Sequence, residues 1–449
     1  MLLPKPVQTA LQLLEQNGFE AYVVGGCVRD LLLGLQPTDY DITTNALPGQ
    51  TQQVFQQMRV IETGKKHGTI TVWIDNMPLE ITTYRIDGDY SDNRRPDAVR
   101  FTRNLEEDLA RRDFTINAMA YHPTKGVVDY YHGQEDLKNH CIRCVGDPET
   151  RFAEDALRIM RGVRFCSTLG FQLEERTKQA LYAKRGLLVH VSRERLRDEL
   201  NKLLCGNNVK QVLLEYTDII AEIIPEIIPC QNFGQHTKYH MYDVWEHTVH
   251  ALASTKPDLT LRLTMLLHDL AKPLCFSVYD GVGHFYGHQG KSADLAEQIL
   301  KRLHYSNDFS QLVVTLIRWH SAEFDGTARS VKKWLHKLGE STLRYLFQVQ
   351  RADVMGKDPN YWYEAREIDQ LEQLLEQIIR EGQCFQIKQL AVNGNDMQQL
   401  GIQQGRMVGK TLEYLLDLVI QEKVPNQKQV LLDTAKEYLV SQTASNSEN

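Results

Sequence analysis

Apolar residues recur along this chain with two different periods, and the change falls near residue 150. Before it, short apolar or alternating runs predict strands. Ala21-Tyr22-Val23-Val24 predicts a buried strand that ends at Gly25-Gly26. Leu31, Leu32 and Leu33 predict the opening of a helix. Residues 68–73 and 79–84 are rich in Thr, Ile and Val, with Asp75-Asn76 between them, which predicts a hairpin. Residues 86–96 are polar and predict a mobile loop.

From about residue 150 onward apolar residues fall at threes and fours, the helical spacing. Helices are predicted over 154–165, 174–182, 194–204 and 209–219. Pro225 and Pro229 punctuate a boundary. A histidine-rich segment follows, with helices over 244–252, 261–270 and 293–303. Two amphipathic helices, 364–380 and 409–422, come last, and the small polar residues 441–449 predict a disordered tail.

A length of 449 residues exceeds one ordinary core, so two to four domains are expected. A hydrophobic content of 42% with 24% charged residues describes a water-soluble globular chain. No apolar run is long enough to span a membrane. The N-terminus turns polar too early for a secretory signal, so a cytoplasmic protein is expected. The net charge of −7 argues against non-specific coating of nucleic acid, though a cleft can still be locally basic. Eight scattered cysteines, with Cys141-x-x-Cys144 the only close pair, predict free thiols in a reducing compartment.

The candidate chemistry begins at Gly25-Gly26-Cys27-Val28-Arg29-Asp30, followed by Asp39-Tyr40-Asp41. A strand, a glycine turn and a helix start can cradle a phosphate, with Arg29 facing the anion. Asp39 and Asp41 are expected on one face of a second strand, because side chains alternate with period two. Two adjacent carboxylates repel unless a cation lies between them. Mg²⁺ with a triphosphate is the simplest occupant, and phosphoryl or nucleotidyl transfer the simplest chemistry. Glu80, on the second strand of the hairpin, could supply a third carboxylate or be a solvated strand residue.

A second constellation is Glu154-Asp155-x-x-Arg158, continued by Arg161 and Arg164. On one helix Asp155 and Arg158 would share a face. Held together they could read a base edge that offers an amine beside an acceptor, as cytosine and adenine both do. Arg161 and Arg164 would then face phosphate or RNA. An ion-paired, solvated helix surface explains the same spacing.

In order along the chain stand Gly25-Gly26-x-x-Arg29-Asp30, Asp39-x-Asp41, Tyr90-Ser91-Asp92-x-Arg94-Arg95-Pro96, Arg111-Arg112-Asp113-Phe114-Thr115-Ile116-Asn117-Ala118, Glu154-Asp155-x-x-Arg158 and Arg193-Glu194-Arg195-x-x-x-Glu199. Together they resemble the bacterial class II tRNA nucleotidyltransferases, the CCA-adding enzymes, and their poly(A) polymerase relatives. The resemblance covers about residues 20–230. It implies an α/β nucleotidyltransferase head (1–145) with a small mixed β-sheet and helices. An all-α neck (146–230), an HD-type body (231–360) and a helical tail (361–449) would follow. It implies Mg²⁺ on Asp39 and Asp41, which would be catalytic. It implies nucleotide contacts from Gly25, Gly26, Arg29, Arg112, Asp155, Arg158, Arg161 and Arg164. The implied partners are tRNA, CTP and ATP. The implied reaction is in-line attack of the tRNA 3′-hydroxyl on the α-phosphate, with pyrophosphate leaving. The loop 86–96 would help the site change from CTP to ATP.

In the second half, His247, His268-Asp269 and Asp353 occur in the order H…HD…D, which resembles the HD phosphohydrolase superfamily. His and Asp suit divalent transition metals, and a buried His-Asp doublet is costly without a metal or partners. His284, His288 and His320 could add ligands or a proton donor. A degenerate fold kept for packing or RNA contact is the plainer alternative. Three functional alternatives stand beside CCA addition. One is a poly(A) polymerase or A-only enzyme. Another is an HD metal phosphohydrolase with an RNA-binding N-terminal half. The last is a non-catalytic RNA-binding protein.

Overall fold

The computed structural model of the chain describes residues 1–88, 99–402 and 405–445. Contacts divide the chain into two compact units. One is Met1–Glu226 with Arg302–His304, and the other is Ile227–Lys301 with Tyr305–Asn449.

The first unit carries eleven described strands. Cys141–Ile142 pairs in parallel with Gln172–Leu173, and the other nine are β1 (Ala21–Val24), β2 (Asp41–Thr44), β3 (Arg59–Ile61), β4 (Thr69–Ile74), β5 (Met77–Thr83), β6 (Arg85–Asp87), β7 (Val99–Phe101), β8 (Ala120–His122) and β9 (Gly126–Val128). Seven of them form one sheet in the order β3-β4-β5-β2-β1-β8-β9, and β6 and β7 form a separate ribbon. The sheet is mixed, because β2 and β5 run parallel while β1 is antiparallel to both β2 and β8. All four residues of β1 are buried, as an unbroken apolar run at the centre of a sheet requires. In β4, Ile70, Val72 and Ile74 are buried and alternate with half-buried residues, the period-two signature. The expected hairpin forms between β4 and β5. Asp75 and Asn76 take φ of 46° and 65°, the left-handed pair that a two-residue turn demands.

Three local expectations change. The first helix after β1 is Gly26–Leu32, so Leu31 to Leu33 end it rather than open it. Gly25 stops the strand with a positive φ, and the helix starts on the next residue. The helix expected over 154–165 is two helices, Pro148–Glu154 and Leu157–Leu169, broken at Asp155. The helix expected over 209–219 is likewise Val209–Glu215 and Thr217–Ala221, divided at Tyr216. The polar stretch 86–96 begins inside β6, and its residues 89–96 lie outside the described residues.

Apart from the short hairpin Ser277–Tyr279 with Val282–His284, the second unit is helical among its described residues. Its main helices include Val244–Ser254, Leu259–Leu267, His288–Arg302, Asn307–Trp319 and Glu340–Met355. Leu263, Leu266, Leu267, Val313, Ile317, Leu346 and Phe347 are buried between them. Each such side chain contributes roughly 1.5–3 kcal/mol by leaving water. Asp243 and Asp258 cap two of these helices by accepting from the backbone N–H of Glu246 and Leu261. A separate apolar cluster of Met397, Leu412, Leu415, Leu416 and Leu431 holds the C-terminal helices. The last helix runs Lys428–Ser445, into the segment expected to be disordered, and 446–449 lie outside the described residues. No described helix is long and apolar enough to cross a membrane.

Candidate active site and buried histidine–aspartate centre

The turn after β1 organises the first site. Gly25 has φ of +85°, and a Cβ built there would lie 2.8 Å from Arg112 Nη1. Glycine is therefore required twice, by the backbone conformation and by the approach of a guanidinium. We expect Gly25→Ala to cost about 1–3 kcal/mol from backbone strain and to displace Arg112. A urea melt that superimposes on that of the unaltered protein would contradict this.

Arg29, one turn into the following helix, donates Nη1 to Asn117 Oδ1 at 2.6 Å and Nε to Asp30 Oδ1 at 2.9 Å. Asn117 donates in turn to Asp113 Oδ1 at 3.1 Å, and Asp113 Oδ2 accepts from Arg161 Nε at 2.7 Å. Arg164 Nε lies 2.6 Å from Glu199 Oε2. Arg29, Arg161 and Arg164 all lie over the ring of Phe165, at 5.0, 5.7 and 4.0 Å from its centroid. One aromatic ring and three acceptors thus gather three cations that would otherwise repel. Burial pushes the Asp113 carboxyl up, but Arg161 and Asn117 outweigh it and hold the group well below the usual carboxylate range.

Asp41 is the first residue of β2, level with Val24 on one side and Glu80 on the other. Asp39 precedes the strand instead of sharing it, which corrects the expected placement. Tyr40 between them is buried, and both aspartates are exposed. Partial enclosure pushes the Asp41 carboxyl up to about 6; Arg112 pulls it down, while Asp39 and Glu80 push it further up. Asp41 therefore has two further carboxylates near it at one end of the β2–β5 pair. A hard divalent cation suits that donor set, because it relieves the mutual repulsion.

The structure interrupts the helix expected to carry Asp155 and Arg158. Asp155 accepts from the Leu157 backbone N–H at 3.1 Å, and its backbone at φ −136° and ψ 100° interrupts the helix. Aspartate competes for backbone donors in this way and so breaks helices where it does so. The regular helical i, i+3 geometry is therefore absent, and each side chain has another partner. Asp155 binds Arg195 instead, Nη2 to Oδ2 at 2.8 Å. Arg158 is buried; it donates to Glu154 Oε2 at 2.6 Å and to the carbonyls of Arg151 and Arg111. Arg161 and Arg164, expected to face phosphate or RNA, are engaged by Asp113 and Glu199.

In the second unit, His247, His268, Asp269 and Asp353 offer ligand atoms that all lie within 4.8 Å of one another. They come from the helices Val244–Ser254 and Glu340–Met355 and from the end of Leu259–Leu267. His268 Nε2 is 3.1 Å from Asp269 Oδ2, and His247 Nε2 is 3.1 Å from Asp353 Oδ1. A second group joins Asp269 to His288 and His320. Their Nε2 atoms lie 3.4 and 3.8 Å from Asp269 Oδ1. His268, His288 and His320 each place Nδ1 at 2.7 Å from a backbone carbonyl three residues earlier. That contact fixes the tautomer with Nε2 free to ligate. Both Asp269 oxygens and His268 Nε2 are buried and make ion-pair contacts but no aligned hydrogen bond. This set fits a divalent transition metal. His284, the remaining candidate, stacks on Tyr286 at 5.3 Å and lies outside both groups.

Three family models match the chain. They are the poly A polymerase head domain over residues 21–143, the probable RNA and SrmB-binding site of polymerase A over 170–230, and the putative tRNA nucleotidyltransferase domain 2 over 287–435. The CCA-adding enzyme of Oceanobacillus iheyensis is 34% identical over 430 residues, 94% of this chain and 94% of that protein. The chain belongs to the CCA-adding enzymes. Local identity to the CCA-adding enzyme of Lactobacillus helveticus reaches 51% over 217 residues, which span 48% of this chain and 54% of that protein. The crystal structure of the Bacillus stearothermophilus CCA-adding enzyme in complex with CTP superposes with a TM-score of 0.73. That match has 29% identity and covers 99% of this chain and 100% of that one.

A CCA-adding enzyme is a nucleotidyltransferase, and the head and helical segments expected from the motifs are present here. Arg195 and Glu199 of this CCA-adding enzyme, both in the motif Arg193-Glu194-Arg195-x-x-x-Glu199, engage Asp155 and Arg164. Their i, i+4 spacing would suggest a pair with each other, and no local signal pointed to Asp155 or Arg164. Phe165 left no signal, because an aromatic in an apolar helix face reads as core. Burial pushes the Cys144 thiol up to about 12, so Cys141-x-x-Cys144 lacks the lowered pKa of a redox pair.

Proposed function

We propose that this chain builds and repairs the 3′-terminal CCA of tRNA in the cytoplasm, adding C, C and A from CTP and ATP without a nucleic-acid template. The observation that carries the reading is the register that sets Asp41 level with Glu80 at the start of β2, with Asp39 two residues before and Arg112 against the Gly25 turn. Asp39 and Asp41 would hold Mg²⁺. When bound, the ion would supply charge neutralisation and Lewis acidity at the reacting phosphate. Arg29 and Arg112, beside Gly25 and Gly26, hold and orient the triphosphate. Arg161 and Arg164 complete the positive field around Phe165. Asp155 and Arg158 read the base by exchanging Arg195 and Glu154 for the amine and acceptor that cytosine and adenine share. The complex of the Bacillus stearothermophilus relative with CTP supports CTP as a substrate.

Purified protein offered tRNA lacking its 3′ end should add C, C and A in order and stop. A long A tract would replace this reading by a poly(A) polymerase, and A addition alone by an A-only enzyme. In the same assay Asp155→Ala should raise UTP and GTP incorporation by about tenfold relative to CTP, the loss of one good base contact. Unchanged selectivity would place the base-reading groups elsewhere.

A second reading concerns His247, His268, Asp269 and Asp353, which would hold a divalent transition metal and support phosphohydrolase chemistry. The three histidines with Nδ1 on carbonyls support it. We expect the full chain to bind Mn²⁺ in a calorimetric titration and Asp269→Ala to abolish that binding. Equal uptake by both proteins would leave the cluster as packing. The rival in which this site is the main activity and the N-terminal half only binds RNA is disfavoured by the three carboxylates around Asp41.

A further inference from the structure

A buried carboxylate stands in the last turn of the helix that leads into Arg112. It is Asp108, in Leu105–Ala110, and its side chain is fully enclosed. Its Oδ2 accepts from Thr43 Oγ1 at 2.9 Å. Its Oδ1 accepts from the Arg85 backbone N–H at 3.2 Å and from Arg111 Nε at 3.0 Å, with Arg111 Nη2 at 2.9 Å. Burial pushes the carboxyl up, but Arg111, Arg112 and the Thr43 hydroxyl outweigh it and hold the group below the usual carboxylate range. A buried charge is costly without partners, and here both oxygens have donors.

The partners stand in three different elements. Thr43 lies in β2 two residues after Asp41, so the two side chains leave the strand on the same face. Besides Asp108, the Thr43 hydroxyl reaches only the Thr82 carbonyl, at 3.3 Å, among the described residues. Arg85 opens β6. Arg111 ends the helix and is followed directly by Arg112. One carboxylate therefore ties the strand that carries Asp41 to the segment that carries Arg112.

Arg112 depends on that tie for its direction. Its backbone N–H bonds to the Leu109 carbonyl at 3.2 Å, and its Nη1 packs against the Gly25 turn. Its Nε is buried with no hydrogen-bond partner among the described residues. The guanidinium is thus held by its main chain and by the acidic groups around it, Asp108 first, then Asp41 and Asp113. Without the Asp108 charge, the adjacent cations Arg111 and Arg112 repel, and Arg112 is drawn toward Asp41.

We propose that Asp108 is a positioning residue for nucleotide addition: through Thr43, Arg85 and Arg111 it fixes the Arg112 guanidinium relative to Asp41, and so sets the triphosphate against the catalytic carboxylates. The proposal rests on the reading of Arg112 as a group that holds the triphosphate, and the experiment separates the two.

Asp108→Asn, Arg112→Ala and their double variant are compared with the full unaltered chain in addition of one C to truncated tRNA. Asp108→Asn is also combined with Arg29→Ala. Asparagine keeps the shape and one acceptor oxygen and removes the charge. Rates are taken where a thermal melt shows every variant folded. Asp108→Asn should lower kcat/KM for CTP by at least about tenfold, since a displacement of about 1 Å at reacting groups costs up to about a hundredfold. In the Arg112→Ala background the same substitution should have no further effect beyond about twofold. In the Arg29→Ala background it should keep its full loss, because Arg29 is held by Asp30 and Asn117. Equilibrium dialysis with CTP should show the same pattern without turnover. A merely structural role would lower both backgrounds alike. Thr43→Val removes one donor to Asp108 and leaves its charge; it decides the matter where Asp108→Asn does not fold. It should lower kcat/KM by about threefold, again only while Arg112 is present.

Addition by Asp108→Asn within about twofold of the unaltered rate, losses that multiply with those of Arg112→Ala, or a loss that also vanishes in the Arg29→Ala background would each overturn the proposal and leave Asp108 as packing. If Arg112→Ala alone adds C at the unaltered rate, the reading of Arg112 fails and the proposal falls with it.

Discussion

Asp41→Asn should abolish nucleotide addition to tRNA, with kcat lower by at least about a thousandfold, and leave the fold unchanged. The size follows from removing a charge that acts at the reacting phosphate, where a single misplaced group costs about a hundred- to a thousandfold and a missing metal ligand costs more. The fold should survive because Asp41 opens β2 with an exposed side chain, while its backbone partners Val24 and Glu80 need only its main chain. Single-turnover addition of C to truncated tRNA measures the first part, and the far-ultraviolet spectrum with a thermal melt measures the second. Addition within tenfold of the unaltered protein would take Asp41 out of the catalytic assignment. Asparagine keeps the size and one acceptor oxygen, so a large loss reports charge rather than packing.

The second large effect is on stability. Asp113 is buried and accepts from the Phe114 backbone N–H, Asn117 and Arg161. Asp113→Ala leaves Arg161 with only Glu199, 3.9 Å away, among the acidic partners seen here. Breaking a buried pair by deleting one partner costs about 3–5 kcal/mol. Chemical denaturation at neutral pH should show a loss of that order, and a loss under about 1 kcal/mol would mean the network is as loose as a surface pair. The pH dependence has a definite sign. Because its native carboxyl is held below the unfolded value, Asp113 contributes fully above the ordinary carboxylate pKa. The contribution fades as pH falls below that ordinary value toward the lower native one. The gap between Asp113→Asn and the unaltered protein should therefore be constant from neutrality down to about pH 5 and narrow in stronger acid.

Several elements could be read without coordinates because their cause is local. The apolar run 21–24 has no stable place except inside a sheet, and Asp75-Asn76 tolerates the backbone that a tight hairpin turn needs. The H…HD…D order predicted a cluster, and the side chains do converge, since the three helices that carry or precede them bury their apolar residues together. The errors share a different cause. Asp155 and Arg158 have the spacing of a helical pair, yet Asp155 spends its carboxylate on the Leu157 N–H and on Arg195, forty positions away. Asp39 has the spacing of a strand neighbour, yet the strand begins only at Asp41. His288 and His320 could be suspected as ligands, but nothing in their spacing tied them to Asp269.

The sequence by itself determined the order of the motifs, the β-then-α division near residue 150 and the residue types available for phosphate, cation and transition-metal chemistry. Those are properties of short stretches, where periodicity and side-chain chemistry act within a few residues. Tertiary structure alone decided which charge meets which. It joined Arg29, Asn117, Asp113 and Arg161 around Phe165, placed Glu80 level with Asp41, and brought His288 and His320 to Asp269. Such pairings depend on where a helix breaks and how elements pack. The energies of competing hydrogen bonds and ion pairs that settle them differ by about 1 kcal/mol, too little to be legible from spacing.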